Sequence, residues 1–473
     1  MTHPSIAIIG AGFSGTLLSL QLLRHCSTGT TIRLIERNPE PGPGLAYATT
    51  SPSHLLNVPA GRMSAFPDQP SHFLEWLQRQ PAVVLNGPVP EAASFVPRRL
   101  FGLYVRGLLA EALRTSSPGR LEIVRGAAVG IERRPGGLTL RFEQGEVMMP
   151  DIVVIATGNS PPVPPMAADQ FVHETAIYRE TELYRGDPWA GDIAEDLPRD
   201  GAVLLIGTGL TMVDAALHLL DRGHVGPIHA LSRRGLLPHV HALTAPAALR
   251  VEAGDVPRGL SGLLRFVRTQ CEIIGEAGGT WHAAIDALRP ITQEIWRDWD
   301  PVTRRRFLRH VRPWWDIYRH RMAGRAAERI ASARESGQLR IHAGRICRLA
   351  IRGGAAEAIW RPRGETEMAA LRVRRIVNCT GPASDVACST DRLSRALLLE
   401  GLARPDPARL GFDATIDGAL RDRDGDPSDR LFGIGPVCRS ALWEITAVPD
   451  IRVQCESLAR RIASFVAGGV PAG

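Results

Sequence analysis

The chain has 473 residues, enough for two or three domains. Hydrophobic residues make up 44% and charged residues 22% of it, which is the composition of a globular protein and excludes a disordered chain. All 56 basic residues are arginine, because the sequence contains no lysine. P-loop nucleotide sites, protein kinases and pyridoxal phosphate enzymes are therefore excluded, since each requires a lysine.

Charge and cysteine content limit the partners and the location. The formal net charge of +7 is compatible with an anionic ligand, but only 5% of residues are aromatic, so no nucleic-acid partner is predicted. Seven scattered cysteines without a CxxC pair indicate reduced thiols in a cytoplasmic protein. No apolar run reaches the roughly 18 residues of a membrane span, and the opening residues leave no room for a signal peptide. The oligomeric state is not indicated.

A dinucleotide-binding motif opens the chain. The apolar strand Ile6–Ile9 is followed by Gly10-Ala11-Gly12-Phe13-Ser14-Gly15 and a helical run. Between a strand and a helix, these glycines permit a tight turn and a close approach of the backbone to a pyrophosphate, which the helix N-terminus binds. Glu36 follows about 20 residues later, where a carboxylate accepts hydrogen bonds from ribose hydroxyls. We assign residues 10–15, Glu36 and the adjacent Arg37 to FAD.

A second, weaker copy of the motif lies near the middle of the chain. The strand Ala202–Ile206 leads into Gly207-Thr208-Gly209 and a helix, but Met212 replaces the third glycine. The next strand ends in Ser232-Arg233-Arg234 in place of an acid. A hydroxyl and guanidinium groups accept the 2′-phosphate that an acid would repel, so NADPH is predicted here, with NADH as an alternative. A solvated basic turn is the other interpretation of these residues.

Three strand-to-glycine segments complete the pattern. Thr157 and Gly158 end one buried-strand pattern, and Thr380 and Gly381 end another. In two-dinucleotide flavoproteins such segments return the chain from one domain to the other. Gly435 and Pro436 close a third strand, which is predicted to lie along the flavin, an edge strand with a turn being the alternative.

These elements predict an α/β fold with two Rossmann-like dinucleotide-binding domains, one for FAD and one for NADPH, and a helical insertion. The FAD domain is predicted to comprise residues 1–165 and 376–473. The NAD(P)H domain comprises residues 166–375, with the insertion at about 250–335.

The insertion contains candidates for substrate contacts. Helices are predicted over 260–277, 281–299 and 303–325, the last kinked or restarted by Pro313. Segment 304–321 is dense in arginine and histidine, which favours an anionic ligand, although a solvated basic helix is an equal alternative. The candidate catalytic residues are Arg309, His310 and Trp315 in this segment, and Trp443 and Glu444 beside the flavin turn, where core packing is the alternative.

No metal site is predicted. His239 and His241, with His229 nearby, are the closest approach to a metal-binding cluster in the sequence. They lack a matched set of carboxylate or cysteine ligands. Loop histidines near the NADP phosphate are the preferred interpretation.

Several strings along nearly the whole chain resemble one family. They include Gly42-Pro43-Gly44-Leu45-Ala46-Tyr47, His54-Leu55-Leu56-Asn57-Val58-Pro59, Phe95-Val96-Pro97-Arg98-Arg99, Asp286-Ala287-Leu288-Arg289-Pro290, Arg319-His320-Arg321 and Leu442-Trp443-Glu444-Ile445-Thr446. The chain resembles the bacterial FAD/NAD(P)-binding flavoproteins, in the broad group with flavin monooxygenases and pyridine-nucleotide disulfide oxidoreductases. This resemblance implies FAD and NAD(P)H as cofactors. One characterised kind in the family is a FAD-dependent urate hydroxylase.

Monooxygenation is the predicted chemistry. The closest cysteine pair, Cys379 and Cys388, lacks the spacing of a redox disulfide, so electrons from NADPH are expected to reach O2 through the flavin. The predicted substrate is a small, planar, electron-rich anion. The best single guess is urate, which would give 5-hydroxyisourate in purine catabolism. Two alternatives stay open: N-hydroxylation of an amine, and a flavin- or nucleotide-binding sensor without turnover.

Overall fold

The computed structural model describes residues 4–135, 137–165, 177–178, 182–242 and 250–468. The strands in these ranges are β1 (Ser5–Ile9), β2 (Thr31–Glu36), β3 (Leu121–Arg125), β4 (Ala128–Arg134), β5 (Gly137–Phe142), β6 (Val147–Met148), β7 (Ile152–Ile155), β8 (Tyr184–Arg185), β9 (Val203–Ile206), β10 (Ile228–Ser232), β11 (Leu339–Arg352), β12 (Ala355–Pro362), β13 (Ala369–Val373), β14 (Arg375–Asn378), β15 (Ala419–Arg421) and β16 (Pro427–Gly433). The α-helices are α1 (Phe13–His25), α2 (Gly44–Tyr47), α3 (His72–Gln78), α4 (Ala82–Leu85), α5 (Arg98–Thr115), α6 (Leu210–Asp221), α7 (Leu260–Glu276), α8 (Trp281–Leu288), α9 (Thr292–Asp298), α10 (Pro301–Arg306), α11 (Arg312–Arg319), α12 (Gly324–Glu335), α13 (Arg392–Leu399) and α14 (Val448–Ala467).

The first sheet has the strand order β15-β16-β7-β1-β2-β3. Its neighbouring strands are parallel except for β15 and β16. β7 is buried along its whole length, as expected for a parallel strand that is covered on both faces. The chain runs outward from β1 to β2 and β3, and β7 adds on the other side. Nucleotides bind at such a reversal of strand order in open α/β sheets.

The second sheet repeats this arrangement with the order β13-β12-β11-β10-β9-β14-β8. Strands β11, β10, β9, β14 and β8 are parallel, and β12 and β13 extend the sheet as antiparallel strands. Helix α6 follows β9 as α1 follows β1. The predicted α/β fold with two Rossmann-like units is therefore confirmed.

Strand pairing bears on the predicted domain limits. Residues 375–378 form β14, which pairs with β9 in the second sheet. The limit at 375/376 would therefore divide a strand of the second fold, and sheet pairing favours a limit after Asn378. The other limit, at 165/166, adjoins residues outside the described ranges. The division into domains accordingly stays a proposal.

The segment predicted as one helix over 303–325 is broken. Helix α10 ends at Arg306, a π-helical turn spans Phe307–Val311, and α11 has Pro313 in its first turn. Proline has no N–H to donate and its ring clashes with the preceding turn, so the helix restarts there as predicted. The predicted end at residue 325 is wrong. The chain leaves the helix after α11 because Met322 pairs with Val240 of the second fold.

The two connections between the sheets lie side by side. Ser160, after β7, forms a β-bridge with Ala383, after β14. The Nδ2 atom of Asn378 donates a hydrogen bond to the carbonyl of Val163 over 2.8 Å. Within the described ranges, no helix combines the length and the apolar character that crossing a membrane requires.

Arg375 generates a prediction about stability. Its side chain is 1% exposed and donates to the carbonyls of Glu182 (2.9 Å), Ile193 (2.8 Å) and Glu195 (2.6 Å). Each carbonyl left unpaired costs about 1–3 kcal/mol, so the loss of all three contacts in Arg375→Ala should lower the free energy of unfolding by at least about 3 kcal/mol in urea denaturation. The neighbouring, exposed Arg374→Ala is the control, with an expected change within about 0.5 kcal/mol. Equal effects of the two substitutions would contradict this account.

Candidate cofactor and substrate site

The two glycine loops have the same geometry. The N–H of Gly10 donates to the carbonyl of Ile35 (2.9 Å), and the N–H of Gly207 donates to that of Leu231 (2.8 Å). Both glycines have positive φ angles, +106° and +116°. A Cβ atom on Gly10 would lie 2.5 Å from the carbonyl oxygen of Ala156, so only glycine fits this turn.

Each loop ends at a helix whose N-terminus fits a phosphate. Gly12 and Gly209 are the N-caps of α1 and α6, and neither helix has a side-chain cap. The first N–H groups of both helices are therefore available to an anion. A Cβ on Gly12 would meet Gly44 at 3.3 Å, so the Gly42-Pro43-Gly44 segment lies directly against the loop.

Three of the residues predicted to contact FAD also make contacts within the protein. The buried carboxylate of Glu36 accepts from the N–H of Ala11 (2.8 Å) and from the backbone and side chain of Asn38. A carboxylate has about four acceptor positions, which leaves one for a ribose hydroxyl. Phe13 contacts the aromatic core, and Ser14 lies against Gly435.

The other predicted contacts lie at the ends of strands. Thr157 and Gly158 follow β7, and Thr380 and Gly381 follow β14. Gly435 and Pro436 follow β16, and the N–H of Gly435 donates to Oε1 of Gln454 over 2.8 Å. Arg37 is exposed directly after β2.

The predicted 2′-phosphate site lies at the end of β10. The hydroxyl of Ser232 accepts from the N–H of Gly235 (2.9 Å) and bonds to Thr208 Oγ1 (2.9 Å), so it holds the turn. Arg233 is exposed, and the guanidinium of Arg234 lies 5.9 Å from the ring centre of Trp314. Contact of the two arginines with a 2′-phosphate stays a prediction.

A cavity of about 950 Å³ lies where the parts of the chain meet. Its lining residues come from four regions: residues 46–63 and 92–98 of the first fold, residues 241–242 of the second, residues 278–289 and 319–321 of the insertion, and residues 444–448 before and at the start of α14. The glycine loops at 10–15 and 207–209 are not among these residues. The cavity has room for a flavin ring and a substrate, and the nucleotide parts of the two cofactors would extend from it to the glycine loops.

Glu444 is the most constrained residue of this cavity. Its carboxylate accepts from Nε of Arg319 (3.0 Å) and from the indole N–H of Trp315, and His320 lies 4.0 Å away. Its φ angle is +65°, an uncommon conformation for a residue with a side chain. Such local strain persists where surrounding contacts enforce it, and it clusters at functional sites.

The structure separates the predicted catalytic candidates. Glu444 lines the cavity, and Trp315 contacts it through Glu444. Arg309 and His310 are exposed and lie outside the cavity lining, because the π-helical turn carries them on its outer side. Trp443 is buried and stacks on Trp296 at a centroid distance of 4.8 Å, so it packs in the core of the insertion.

Five arginines line the cavity: Arg62, Arg98, Arg289, Arg319 and Arg321. Arg319 and Arg321 belong to the basic segment 304–321 that the sequence indicated for substrate contacts, whereas the other three were not singled out. Four of the five, all except Arg62, lie inside the strings that carry the family resemblance. Membership in those strings was the feature of the sequence that could have identified these four arginines as site residues.

A buried ion pair joins the two folds beside the cavity. Arg98 Nη2 lies 2.8 Å from Asp214 Oδ2, and the two side chains are 16% and 8% exposed. His54 Nε2 lies 3.2 Å from the carbonyl oxygen of Asp214. His241 Nε2 lies 2.9 Å from the carbonyl oxygen of Asn57. Residues 54–57 of the first fold are therefore held by the second.

Burial keeps several cavity groups uncharged. It lowers the pKa of His241 to about 4, with Arg321 as a further cause, and it raises the pKa of Tyr47 to about 12. The described residues contain no cluster of three metal-ligating side chains. His229 bonds to His342 instead of approaching His239 or His241.

Fold and site together define a flavoprotein-like molecule with two nucleotide folds. Residues 7–160 match the family model described as FAD-NAD(P)-binding. For this part of the chain the resemblance to FAD/NAD(P)-binding flavoproteins is confirmed, and the predicted cofactors agree with that description. No curated protein sequence matches the chain.

Three solved structures share the fold over nearly the whole chain. The ornithine N-hydroxylase of Kutzneria sp. 744, in a form with reduced FAD, NADP+ and L-ornithine, has a TM-score of 0.65 and 13% identity, with coverage of 99% of this chain and 100% of that one. The ornithine hydroxylase of Pseudomonas aeruginosa has a TM-score of 0.64 and 15% identity, with 98% and 100% coverage. The L-lysine 6-monooxygenase of Pseudomonas syringae has a TM-score of 0.62 and 15% identity, with 99% and 100% coverage. At sequence identities this low, the structural similarity establishes the fold alone.

Gly15 allows a matched test of the FAD loop. A Cβ on Gly15 would overlap the carbonyl of Gly10, whereas one on Gly107 of α5 would have no neighbour within 4 Å. We expect Gly15→Ala to lose FAD, because α1 must move away from the loop, and Gly107→Ala to retain it. The measurement is the ratio of flavin to protein absorbance after purification, with circular dichroism to verify folding. Full FAD content in a folded Gly15→Ala variant would refute the assignment.

Proposed function

We propose that this protein is an FAD-dependent, NAD(P)H-using monooxygenase that hydroxylates the nitrogen of an amine. The observation that carries the proposal is the cavity that both nucleotide folds and the insertion line together. A reaction between two cofactors and a substrate needs such a meeting point. The similar structures support the amine, because they are hydroxylases of ornithine or lysine.

The reaction converts an amine, O2, NAD(P)H and a proton into a hydroxylamine, NAD(P)+ and water. When bound, FAD supplies the redox chemistry, namely hydride acceptance from NAD(P)H and activation of O2. The residues that would hold it are those of the first glycine loop with Glu36. The protein's own part is to orient the reactants, exclude water and keep the amine unprotonated, because only the neutral amine has a free electron pair.

The charges of the cavity favour the neutral amine. Five arginines line it against the two acids Asp286 and Glu444, and this excess of positive charge disfavours an ammonium ion nearby. His320 lies between Arg319 and Arg321 in sequence and also lines the cavity. Burial lowers the pKa of His320 and so disfavours the charged form of its ring, which adds no acid that could protonate the amine.

Urate has no support from the comparisons. Arg309, a candidate catalytic residue of the basic segment, is exposed and lies outside the cavity lining. The amine alternative is therefore preferred as substrate. A sensor without turnover is disfavoured by the similarity to hydroxylases along nearly the whole chain.

The turn after β10 generates a prediction about the coenzyme. Replacing both Arg233 and Arg234 by alanine should raise the KM for NADPH by roughly 10- to 100-fold, which corresponds to about 1.4–2.8 kcal/mol of charge-assisted contact. The KM for NADH is the internal control and should hardly change, because NADH has no 2′-phosphate. Steady-state kinetics check both values. Equal use of NADPH and NADH by the unmodified protein would refute the assignment.

The reaction class is tested with the purified protein, FAD, NADPH and a panel of amines and amino acids. We expect one amine to accelerate NADPH oxidation and to yield a hydroxylamine heavier by one oxygen atom, identified by mass spectrometry. Urate serves as the competing substrate in the same assay. The proposal fails if urate is consumed and no amine is, or if no compound raises NADPH oxidation above its basal rate.

A further inference from the structure

The cavity has more positive than negative side chains. Its lining includes the arginines Arg62, Arg98, Arg289, Arg319 and Arg321, and the acids Asp286 and Glu444. The glycine loops predicted to bind the FAD and NADP phosphates lie outside the lining.

Three of the five arginines have close ionic partners. Arg98 pairs with Asp214 at 2.8 Å, and Arg319 pairs with Glu444 at 3.0 Å. Arg321 pairs with Asp286. Both acids of the lining are therefore already occupied by arginines of the same lining.

Arg62 and Arg289 differ from the other three. Within the described ranges, Arg62 has neither an ion pair nor a side-chain hydrogen bond, and it is exposed toward the cavity. The buried Nη2 atom of Arg289 lies 3.6 Å from Asp450 Oδ2, an ion pair that is longer than those of the other three arginines and is not a hydrogen bond. A buried guanidinium nitrogen that lacks a hydrogen bond is costly, and a closer anion would reduce this cost.

The guanidinium-bearing residues Arg62 and Arg289 line the same cavity. Burial lowers the pKa of Arg289, and the charges of Arg319 and Arg62 lower it further. Asp450 and Glu444 oppose this shift in the pKa. Two cations side by side repel each other, whereas a carboxylate between them would be attracted to both. The planar fork of arginine suits a carboxylate in particular.

We propose that Arg62 and Arg289 form the binding site for a carboxylate of the substrate, which is an amine without a second cationic group. The substrate class is thus an amino acid with a neutral or acidic side chain. The amine in this inference rests on the proposed N-hydroxylation. The carboxylate rests on the charges of the residues that line the cavity.

Basic amines are excluded from this class by the same charge pattern. A diamine or a basic amino acid brings a second ammonium group, which needs a carboxylate or several acceptors. Asp286 and Glu444 are the acids of the lining, and both are engaged by arginines. Binding a second ammonium group would require one of these pairs to break.

The carboxylate site is tested first without catalysis. Succinate, which has no amine, is titrated into the holoenzyme with FAD and NADP+ bound, and its Kd is measured by calorimetry. We expect Arg62→Ala to weaken succinate binding at least tenfold and Arg62→Lys to weaken it less. Arg305→Ala, at an exposed arginine outside the lining, is the matched control and should bind like the unmodified protein. FAD content verifies that each variant is intact.

The second arm compares substrates. L-aspartate, L-glutamate and glycine are assayed for hydroxylamine formation against L-ornithine, L-lysine and cadaverine. The proposal is overturned if succinate binds equally to Arg62→Ala and the unmodified protein, if it binds to neither, or if a basic amine has the highest kcat/KM. If no amine is hydroxylated while succinate binding depends on Arg62, the N-hydroxylation proposal fails and the carboxylate site stands.

Discussion

The buried ion pair between Arg98 and Asp214 fixes how the two nucleotide folds face each other. Arg98 opens α5 of the first fold, and Asp214 lies on α6 of the second. Neither charge could remain buried without the other, because a lone buried charge costs several kcal/mol. The guanidinium of Arg98 also donates to the carbonyl of Leu55 and lines the cavity. The shape of the cavity therefore depends on a contact that belongs to both folds.

The adjacent residues 443 and 444 hold the insertion in the same way. The indole of Trp443 packs in the core of the insertion, while the carboxylate of Glu444 lines the cavity and binds α11. The left-handed backbone at Glu444 turns the chain between these two environments. The indole N–H of Trp296 adds a hydrogen bond to the carbonyl of Ser440 (2.9 Å). A short segment before α14 thus connects the insertion to the first fold.

The glycine loops and the helix restart were predictable because each depends on residues that are neighbours in the sequence. Strand, glycine turn and helix are consecutive in the chain, so Gly10 and Gly207 could be recognised without knowledge of any distant contact. Even the substitution of Met212 for the third glycine left the second loop with the geometry of the first. The restart of the helix at Pro313 was predictable for the same reason, because it depends on one residue and the turn before it.

Contacts between distant segments account for what the sequence did not reveal. A basic helical segment does not show which of its arginines face a cavity, and Arg309 was chosen where Arg319 and Arg321 are the ones that line it. Arg62 and Arg289 are far apart in the chain, and they line one cavity only because the insertion lies over the first fold. The ionic partners of Glu444 likewise come from α11 and could not be read from its neighbours in sequence.

The exclusive use of arginine has a consequence for behaviour in alkaline solution. A desolvated lysine loses its proton readily, whereas a guanidinium keeps its charge at the pH values that enzymes meet. The chain contains no lysine, so the proposed attraction of Arg62 and Arg289 for a carboxylate should persist further into alkaline solution than that of a lysine pair, even though burial lowers the pKa of Arg289. An amine becomes a better nucleophile under those same conditions, because more of it is unprotonated. In the proposed reaction, raising the pH would therefore make the nitrogen more reactive without releasing the acid group from the arginines.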